Sequence, residues 1–384
     1  MFSVVGLCAG IGGIERGLAR AGHRVRVFCE IDEAARAVLA ARFPGVPLWR
    51  DVMSVRRLPR AGLVAAGFPC KDFSQAGATR GVRGQYFSLV DRIIDLIVSS
   101  RPEWVLLENV PFILHLHRGQ ALRHVLARLS DAGYVWAYRV VDAMAFGLPQ
   151  RRPRVFVVAS RTGDPREVLL ADDAGAPPRR CPEEAAACGF YWTEGREGIG
   201  LAVDAVPPVK CSSSLDVPAP PALWIPGRGV FVPDVRDGER LQGFPAGWTA
   251  PAAGTTNGKA TSLGVRWRLI GNAVPVPVSE WIGKRLTRPR PFQAHLQRRL
   301  GEHERLPPAA WGWRTQVFAV NVSSWPVRRS TPPILEFLRF PLVPLSQRAC
   351  AGFLSRARQS TLRFPVGFLE DVERQALGQT TGPD

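Results

Sequence analysis

Cysteine is scarce in this chain and shows no metal-type spacing. The seven cysteines at positions 8, 29, 70, 181, 188, 211 and 350 are odd in number and include no Cys-x-x-Cys pair. That argues against a disulfide framework and against a structural zinc site. Cys181 and Cys188 have no histidine pair near them, so no metal is expected. A reducing cytoplasm suits such a chain. Long apolar runs are missing as well. No stretch reaches the roughly 18 residues of a membrane span, and no basic segment precedes the first apolar run. A soluble protein without a membrane partner is expected. Acidic residues are few: 33 Asp and Glu stand against 50 Lys and Arg, for a formal net charge of +17. Such an excess favours a polyanionic partner, with generous arginine usage by a GC-rich genome as the plainer alternative. What is abundant is apolar side chain, at 46% of 384 residues. Two or three domains with a real core are therefore expected rather than disorder.

The first segment reads strand, glycine-rich turn, helix. Phe2–Val5 is apolar, Gly6-Leu7-Cys8-Ala9-Gly10-Ile11-Gly12-Gly13 follows, and Ile14–Ala21 has helical character. Glycines there permit positive φ and close approach of a ligand to the backbone. The loop lacks both the G-x-G-x-x-G spacing and a Walker lysine, so it is a cofactor loop of another kind. A second strand, Arg24–Cys29, ends at Glu30-Ile31-Asp32. An acidic residue about 20 positions after a glycine loop suits a ribose diol, and a cap on the helix Glu33–Arg42 is the competing use. Asp51 is either an acceptor for an adenine amino group or a plain loop carboxylate.

A buried strand, Leu63–Ala66, stops at Gly67-Phe68-Pro69-Cys70-Lys71-Asp72-Phe73-Ser74. A cysteine at a strand tip is a candidate nucleophile; a small buried hydrophobe is the alternative. The Gly- and Arg-rich segment 76–86 reads as a lid or phosphate-contacting loop, and Phe87–Ser100 as an amphipathic helix. The next apolar strand, Trp104–Leu107, ends in Glu108-Asn109-Val110. Burial there should raise the Glu108 pKa and keep it available as an acid. A helix over Gln120–Ala132 and a strand over Val135–Val141 lead to Gln150-Arg151-Arg152-Pro153-Arg154 and the strand Val155–Ala159. Gln150, Arg152 and Arg154 alternate, which puts three donors on one face of an extended segment, a site for an anion or a carbonyl oxygen.

Taken together, these segments resemble the bacterial-type DNA (cytosine-5)-methyltransferase family. The matching motifs are G-L-C-A-G-I-G-G, E-I-D, G-F-P-C-K-D-F-S, E-N-V, Q-R-R-P-R-V-F, R-L-Q-G-F-P (240–245) and G-N-A-V-P-V-P-V (271–278). They cover roughly residues 1–285. The resemblance implies a Rossmann-like S-adenosylmethionine-dependent methyltransferase fold, in the α/β class, with a smaller irregular target-recognition lobe and a C-terminal extension. It implies S-adenosylmethionine held by Ala9, Gly10, Ile11, Gly12 and Gly13, with Glu30 at the ribose, Asp51 at the adenine edge, and Ile31 and Val52 among the cofactor-binding residues. Pro69, Asn272 and Val274 would complete that pocket. Cys70 would add to C6 of a cytosine flipped out of duplex DNA, Glu108 would hold N3, and Arg152 and Arg154 would stabilise the ring at O2. Departures from the family pattern are Cys8 in the first motif, Lys71 after the nucleophile and Tyr86.

The expected division is a catalytic domain of 1–160 plus 262–290, a target-recognition domain of 161–261, and an accessory segment of 291–384. Region 160–235 is rich in Pro and Gly and breaks any long helix. Candidate DNA contacts are Ser74, Arg83, Gln150, Lys210, Ser212 and Arg240, with Ser213, Ser214 and Arg228 nearby. The tail is too apolar for disorder; it reads as packed, and helical near Leu362–Leu377. The leading reading is a DNA methyltransferase, monomeric on DNA, of a restriction-modification or other host-defence system with a cognate endonuclease encoded nearby. Rivals are an RNA-directed enzyme of the same fold, a catalytically silent DNA-binding relative, and a Rossmann oxidoreductase.

Overall fold

The structure is a computed structural model that describes residues 1–68, 85–178, 181–182, 185–211, 220–255, 262–301 and 303–379. Its strands are β1 Ser3–Leu7, β2 Arg24–Cys29, β3 Leu48–Trp49, β4 Leu63–Gly67, β5 Trp104–Asn109, β6 Val135–Asp142, β7 Pro153–Ser160, β8 Cys188–Phe190, β9 Ala202–Val203, β10 Ala222–Ile225, β11 Gly229–Val232, β12 Gln297–Arg299, β13 Ala309–Trp313, β14 Gln316–Val320 and β15 Val343–Pro344. The helices are α1 Gly13–Arg20, α2 Glu33–Arg42, α3 Gln85–Ser100, α4 Gln120–Asp131, α5 Pro165–Leu169, α6 Val235–Leu241, α7 Ser262–Asn272, α8 Val276–Thr287, α9 Ile334–Phe337, α10 Gln347–Arg358 and α11 Phe368–Ala376.

The chain divides into two compact units. The first holds residues 1–145, 153–177 and 274–328 and is built on a ten-stranded sheet of order β12-β14-β13-β6-β7-β5-β4-β1-β2-β3. Strands β3, β2, β1, β4 and β5 run parallel, and β7, β6, β13, β14 and β12 continue the sheet in antiparallel fashion. The parallel strands are short Val, Leu and Ala runs, as strands covered on both faces require. β1, β4 and β5 are buried along almost their whole length. Ile93, Ile94, Ile97, Val125 and Leu129 from α3 and α4 pack into the same core. The strand order reverses beside β1, between β2 and β4. In an open α/β sheet that is where the carboxyl ends of the strands leave a crevice for a ligand.

α1 lies against α8 at a separation only glycine allows. A Cβ on Gly17 would stand 2.5 Å from Ser279 Cβ and from Val276 O, and one on Gly283 would stand 2.7 Å from Ala21 Cβ. This brings Val274, just before α8, onto the N-terminus of α1.

The second unit holds residues 146–152, 178–273 and 329–384. Its five-stranded antiparallel sheet has the order β15-β11-β10-β8-β9. Phe190 and Trp224 from that sheet pack with Phe353 and Phe368 from α10 and α11. Asp371 of α11 accepts from Trp224 Nε1 and Gly227 N, both at 2.8 Å. Gln375 accepts from Val230 N and donates to Val230 O and Leu345 O. The segment 291–384, read from sequence as one accessory piece, is thus shared out: β12–β14 extend the first unit's sheet and the remainder is core of the second. The helix expected near Leu362–Leu377 is present as the shorter α11, and α10 precedes it. Among the described residues no helix is long and apolar enough to cross a membrane.

Candidate active site

Two neighbouring parallel strands deliver the first elements of the site. Gly67, the last residue of β4, is in register with Glu108 on β5. The Glu108 carboxylate lies over that glycine: a Cβ on Gly67 would stand 3.4 Å from Glu108 Oε2. Asn109 Nδ2 donates to Phe68 O at 3.2 Å, which latches the chain as it leaves β4. Pro69 and Cys70 follow directly in sequence. These two, with Lys71, Ser74 and Arg83, lie outside the described residues.

Glu108 is 8% exposed, so its carboxylate requires compensation. Arg154 on β7 provides it, with Nε 3.2 Å from Glu108 Oε1. The antiparallel pairing of β5 with β7 fixes this meeting, since Asn109 faces Val155 and Glu108 faces Phe156. The pair presents a carboxylate and a guanidinium from adjacent strand ends. That combination can hold an amidine-like ring edge and a neighbouring carbonyl oxygen at once.

The glycine loop is next to this pair through β1, whose Leu7 is in register with Ala66 of β4. Gly12 N donates to Ala9 O at 2.9 Å and Ala9 N donates to Cys29 O at 3.2 Å. Gly10 has φ 55° and open space where its Cβ would be, so the loop offers bare backbone to a ligand. Gly13 is close-packed instead: a Cβ there would stand 2.2 Å from Val274 O. Ile11, Gly12 and Gly13 are buried and form the underside of the loop.

Glu30 ties the loop to the tip of β2. Its Oε2 accepts from Gly10 N at 2.7 Å and its Oε1 accepts from Asp32 N at 2.8 Å. Burial raises its pKa against those hydrogen bonds. Asp32 takes the cap of α2, accepting from Ala35 N at 3.0 Å. The cap therefore falls to Asp32, and Glu30 holds loop backbone. Ile31 between them is 68% exposed, an apolar surface beside the loop. Asp51 accepts from Met53 N at 2.9 Å and caps a short 3-10 turn, 52–54, whose Val52 is buried.

The loop's surroundings are anionic. Burial pushes the Cys8 thiol up, and Glu30, Asp51 and Glu15 push it further. Cys29 is pushed up to about 12 by burial, with Glu30 and Asp51 adding. Glu15, 1% exposed in the first turn of α1, is raised to about 8 by burial. Sequence inspection passed over Glu15. The signal was its spacing: it falls four residues after Ile11 and three before Leu18, on the buried face of the helix. Carboxylates beside bare glycine backbone suit a cationic ligand better than a dinucleotide pyrophosphate.

Three further residues require correction. Gln150 is fully buried; its Nε2 donates to Leu241 O at 2.8 Å and its Oε1 accepts from Val209 N at 2.9 Å. It holds loops of the second unit together, with both amide atoms engaged in protein hydrogen bonds. Arg152 is 1% exposed and donates to Val209 O, Gly271 O and Ala273 O at 2.7–2.8 Å. Its guanidinium braces the second unit. Arg240 donates to Asp237 Oδ1 and Phe337 O and stacks 4.4 Å from the Phe337 ring, so it too is spent inside that unit. Lys210 remains half-exposed but is engaged by Glu194 at 2.8 Å and by the Tyr191 ring at 3.8 Å. Asn272 is exposed at the end of α7. Ser212 lies outside the described residues, as do Ser213 and Ser214.

Comparison with known proteins identifies the family. A family model described as C-5 cytosine-specific DNA methylase matches residues 2–186. The chain is 45% identical over 381 residues to the Type II methyltransferase M2.BsuMI of Bacillus subtilis (strain 168), covering 97% of each. It is 30% identical over 319 residues to the Type II methyltransferase M.NlaX of Neisseria lactamica, covering 74% of this chain and 96% of that one. Among solved structures, the S. pombe Dnmt2 methyltransferase aligns over 75% of this chain and 99% of its own, with a TM-score of 0.52 at 15% identity. That likeness concerns the fold.

Proposed function

The chain belongs to the C-5 cytosine-specific DNA methylase family, and from that premise we propose how its residues carry the reaction. It is a site-specific DNA cytosine-5 methyltransferase. The cofactor we assign is S-adenosylmethionine, which supplies an electrophilic methyl group. The anionic loop with its open Gly10 fits a ligand of net positive charge. Glu30 and Ile31 would meet the ribose, Asp51 and Val52 the adenine edge, and Val274 the loop's inner side.

The observation that carries the reading is the Glu108–Arg154 pair above Gly67, two residues before Pro69-Cys70. C5 of cytosine is a weak nucleophile. Addition of the Cys70 thiolate at C6 makes C5 enamine-like, and loss of the C5 proton after methylation expels the thiolate again. Addition places charge on the ring; Glu108 offsets it at N3 and Arg154 at O2. The base must leave the stack to reach these groups, at a cost of a few kcal/mol. The second unit reads the target sequence in this scheme. The enzyme acts as a monomer on duplex DNA in the cytoplasm, alongside a cognate endonuclease.

An oligonucleotide duplex carrying 5-fluorocytosine at the target tests the scheme, since the C5 fluorine blocks elimination. A covalent adduct at Cys70 is expected, and its absence in Cys70→Ala. An adduct at any other residue overturns the assignment.

A further inference from the structure

Glu15 takes no part in the chemistry above, yet its placement is costly. Its carboxyl reaches from the first turn of α1 over β1, where Oε1 stands 2.2 Å from the position a Cβ on Gly6 would take. Gly6 makes the room that the carboxyl fills. Among the described residues, neither Glu15 oxygen meets a hydrogen-bond partner beyond its own backbone amide, which lowers its pKa only partly against burial. A buried carboxyl with no partner from another residue favours its neutral form, and burial, aided by Glu30 and opposed by its own amide, raises Glu15 to about 8. Glutamine would fill the same volume without an ionisable group.

The groups around it sharpen the point. The end of β2 contributes Glu30, whose carboxyl disfavours a negative charge on Glu15, and the Cys8 thiol beside it is held neutral by burial. The described β4 segment Leu63–Gly67 contains no titratable side chain. On α8, Glu280 is paired with Lys284 at 2.5 Å and with Arg20 of α1 at 3.8 Å. Thus the cation that would let Glu15 ionise must come from outside this set. The open space beside Gly10 offers room for it.

We propose that Glu15 is a charge-sensing positioning residue beneath the glycine loop, neutral when the loop is empty and ionised when a sulfonium cofactor is held there, so that the site favours the charged cofactor over its uncharged thioether product. Glu15 gives its proton to solvent as the positive charge arrives. It takes one back once methyl transfer has removed that charge, which loosens the product. The carboxyl acts through its field, without touching the ligand. This role rests on the S-adenosylmethionine reading of the loop.

Calorimetric titration of the full chain at pH 7.5 tests it, with S-adenosylmethionine and with S-adenosylhomocysteine, each in two buffers of different ionisation enthalpy. Wild type is expected to release a larger fraction of a proton with the sulfonium ligand. Glu15→Gln is expected to abolish that difference and to cut the affinity ratio of the two ligands on the order of tenfold, as one charge pair across a screened interior gives. Equal proton release for both ligands in wild type overturns the role of Glu15, as does an unchanged ratio in the variant. If wild type binds neither ligand, the cofactor reading itself falls, and this inference with it.

Discussion

Glu108, Arg154 and Arg152 differ by what their side chains already hold. Glu108 and Arg154 neutralise each other at the ends of β5 and β7, so each can turn to a ligand without leaving a buried charge bare. Glu108→Gln is expected to lower single-turnover methyl transfer by roughly 10²–10⁴-fold, the usual reach of general acid catalysis, with duplex binding retained. Arg152→Ala should behave otherwise. It strips the carbonyls of Val209, Gly271 and Ala273 of a donor, each loss worth about 1–3 kcal/mol. The thermal midpoint should drop, while the folded fraction keeps its methyl-transfer rate. The alternation of Gln150, Arg152 and Arg154 in sequence suggested one shared role. It could not do better, because the carbonyls that occupy Arg152 lie 57 to 121 positions away. Charged residues at the ends of apolar strands were legible; the partners that spend a guanidinium were not. Glu15 gives a further prediction at this scale. Its folded-state pKa, about 8, is above the ordinary 4.5, so the folded protein keeps a proton that the unfolded chain sheds between those values. Stability should therefore fall as pH rises from about 4.5 to about 8, and Glu15→Gln should flatten that part of the profile in a series of melting curves.

At the scale of elements, the join between α1 and α8 decides whether the loop is held in shape. Gly13 and Gly17 let Val274 and the first turn of α8 come within atomic contact of α1. Gly17→Val has no space to enter, and overpacking of this kind costs about 1–3 kcal/mol or more. The variant is expected to melt earlier and to bind S-adenosylmethionine more weakly in equilibrium dialysis, with Glu108 and Arg154 untouched. Helices and parallel strands of the first unit were readable because each is a run with a clear period: α2 spans the same Glu33–Arg42 in sequence and structure, and β5 runs only two residues past Leu107. The strands of the second unit were not. β8 to β11 are two to four residues long and separated by Pro- and Gly-rich turns, too short for a period of two to show. β12 to β14 were missed for a different reason: they extend the first sheet from the far end of the chain, and nothing local announces that β13 will pair with β6.

For the whole molecule, the consequence lies in how the chain distributes itself. The chain passes from one unit to the other after residues 145, 152, 177, 273 and 328, so neither unit is a sequence block. The last segment carries much of the second unit's packing. Residues 329–384 supply β15, α10 and α11 to the second unit, and Asp371 and Gln375 satisfy the backbone of Gly227 and Val230 and the indole of Trp224. Removing them uncovers Phe190 and Trp224 and takes away the acceptors of those donors. A chain ending at Arg328 retains every strand of the ten-stranded sheet and both members of the Glu108–Arg154 pair. It is expected to bind S-adenosylmethionine with near-normal affinity while losing discrimination between target and non-target duplexes. With a net charge of +17, residual duplex binding should persist as a salt-sensitive, sequence-independent term whose affinity falls steeply between about 50 and 200 mM salt. Competition binding with target and scrambled duplexes at both salt concentrations separates the outcomes. Retention of target preference by the shortened chain would place sequence reading wholly within residues 178–273.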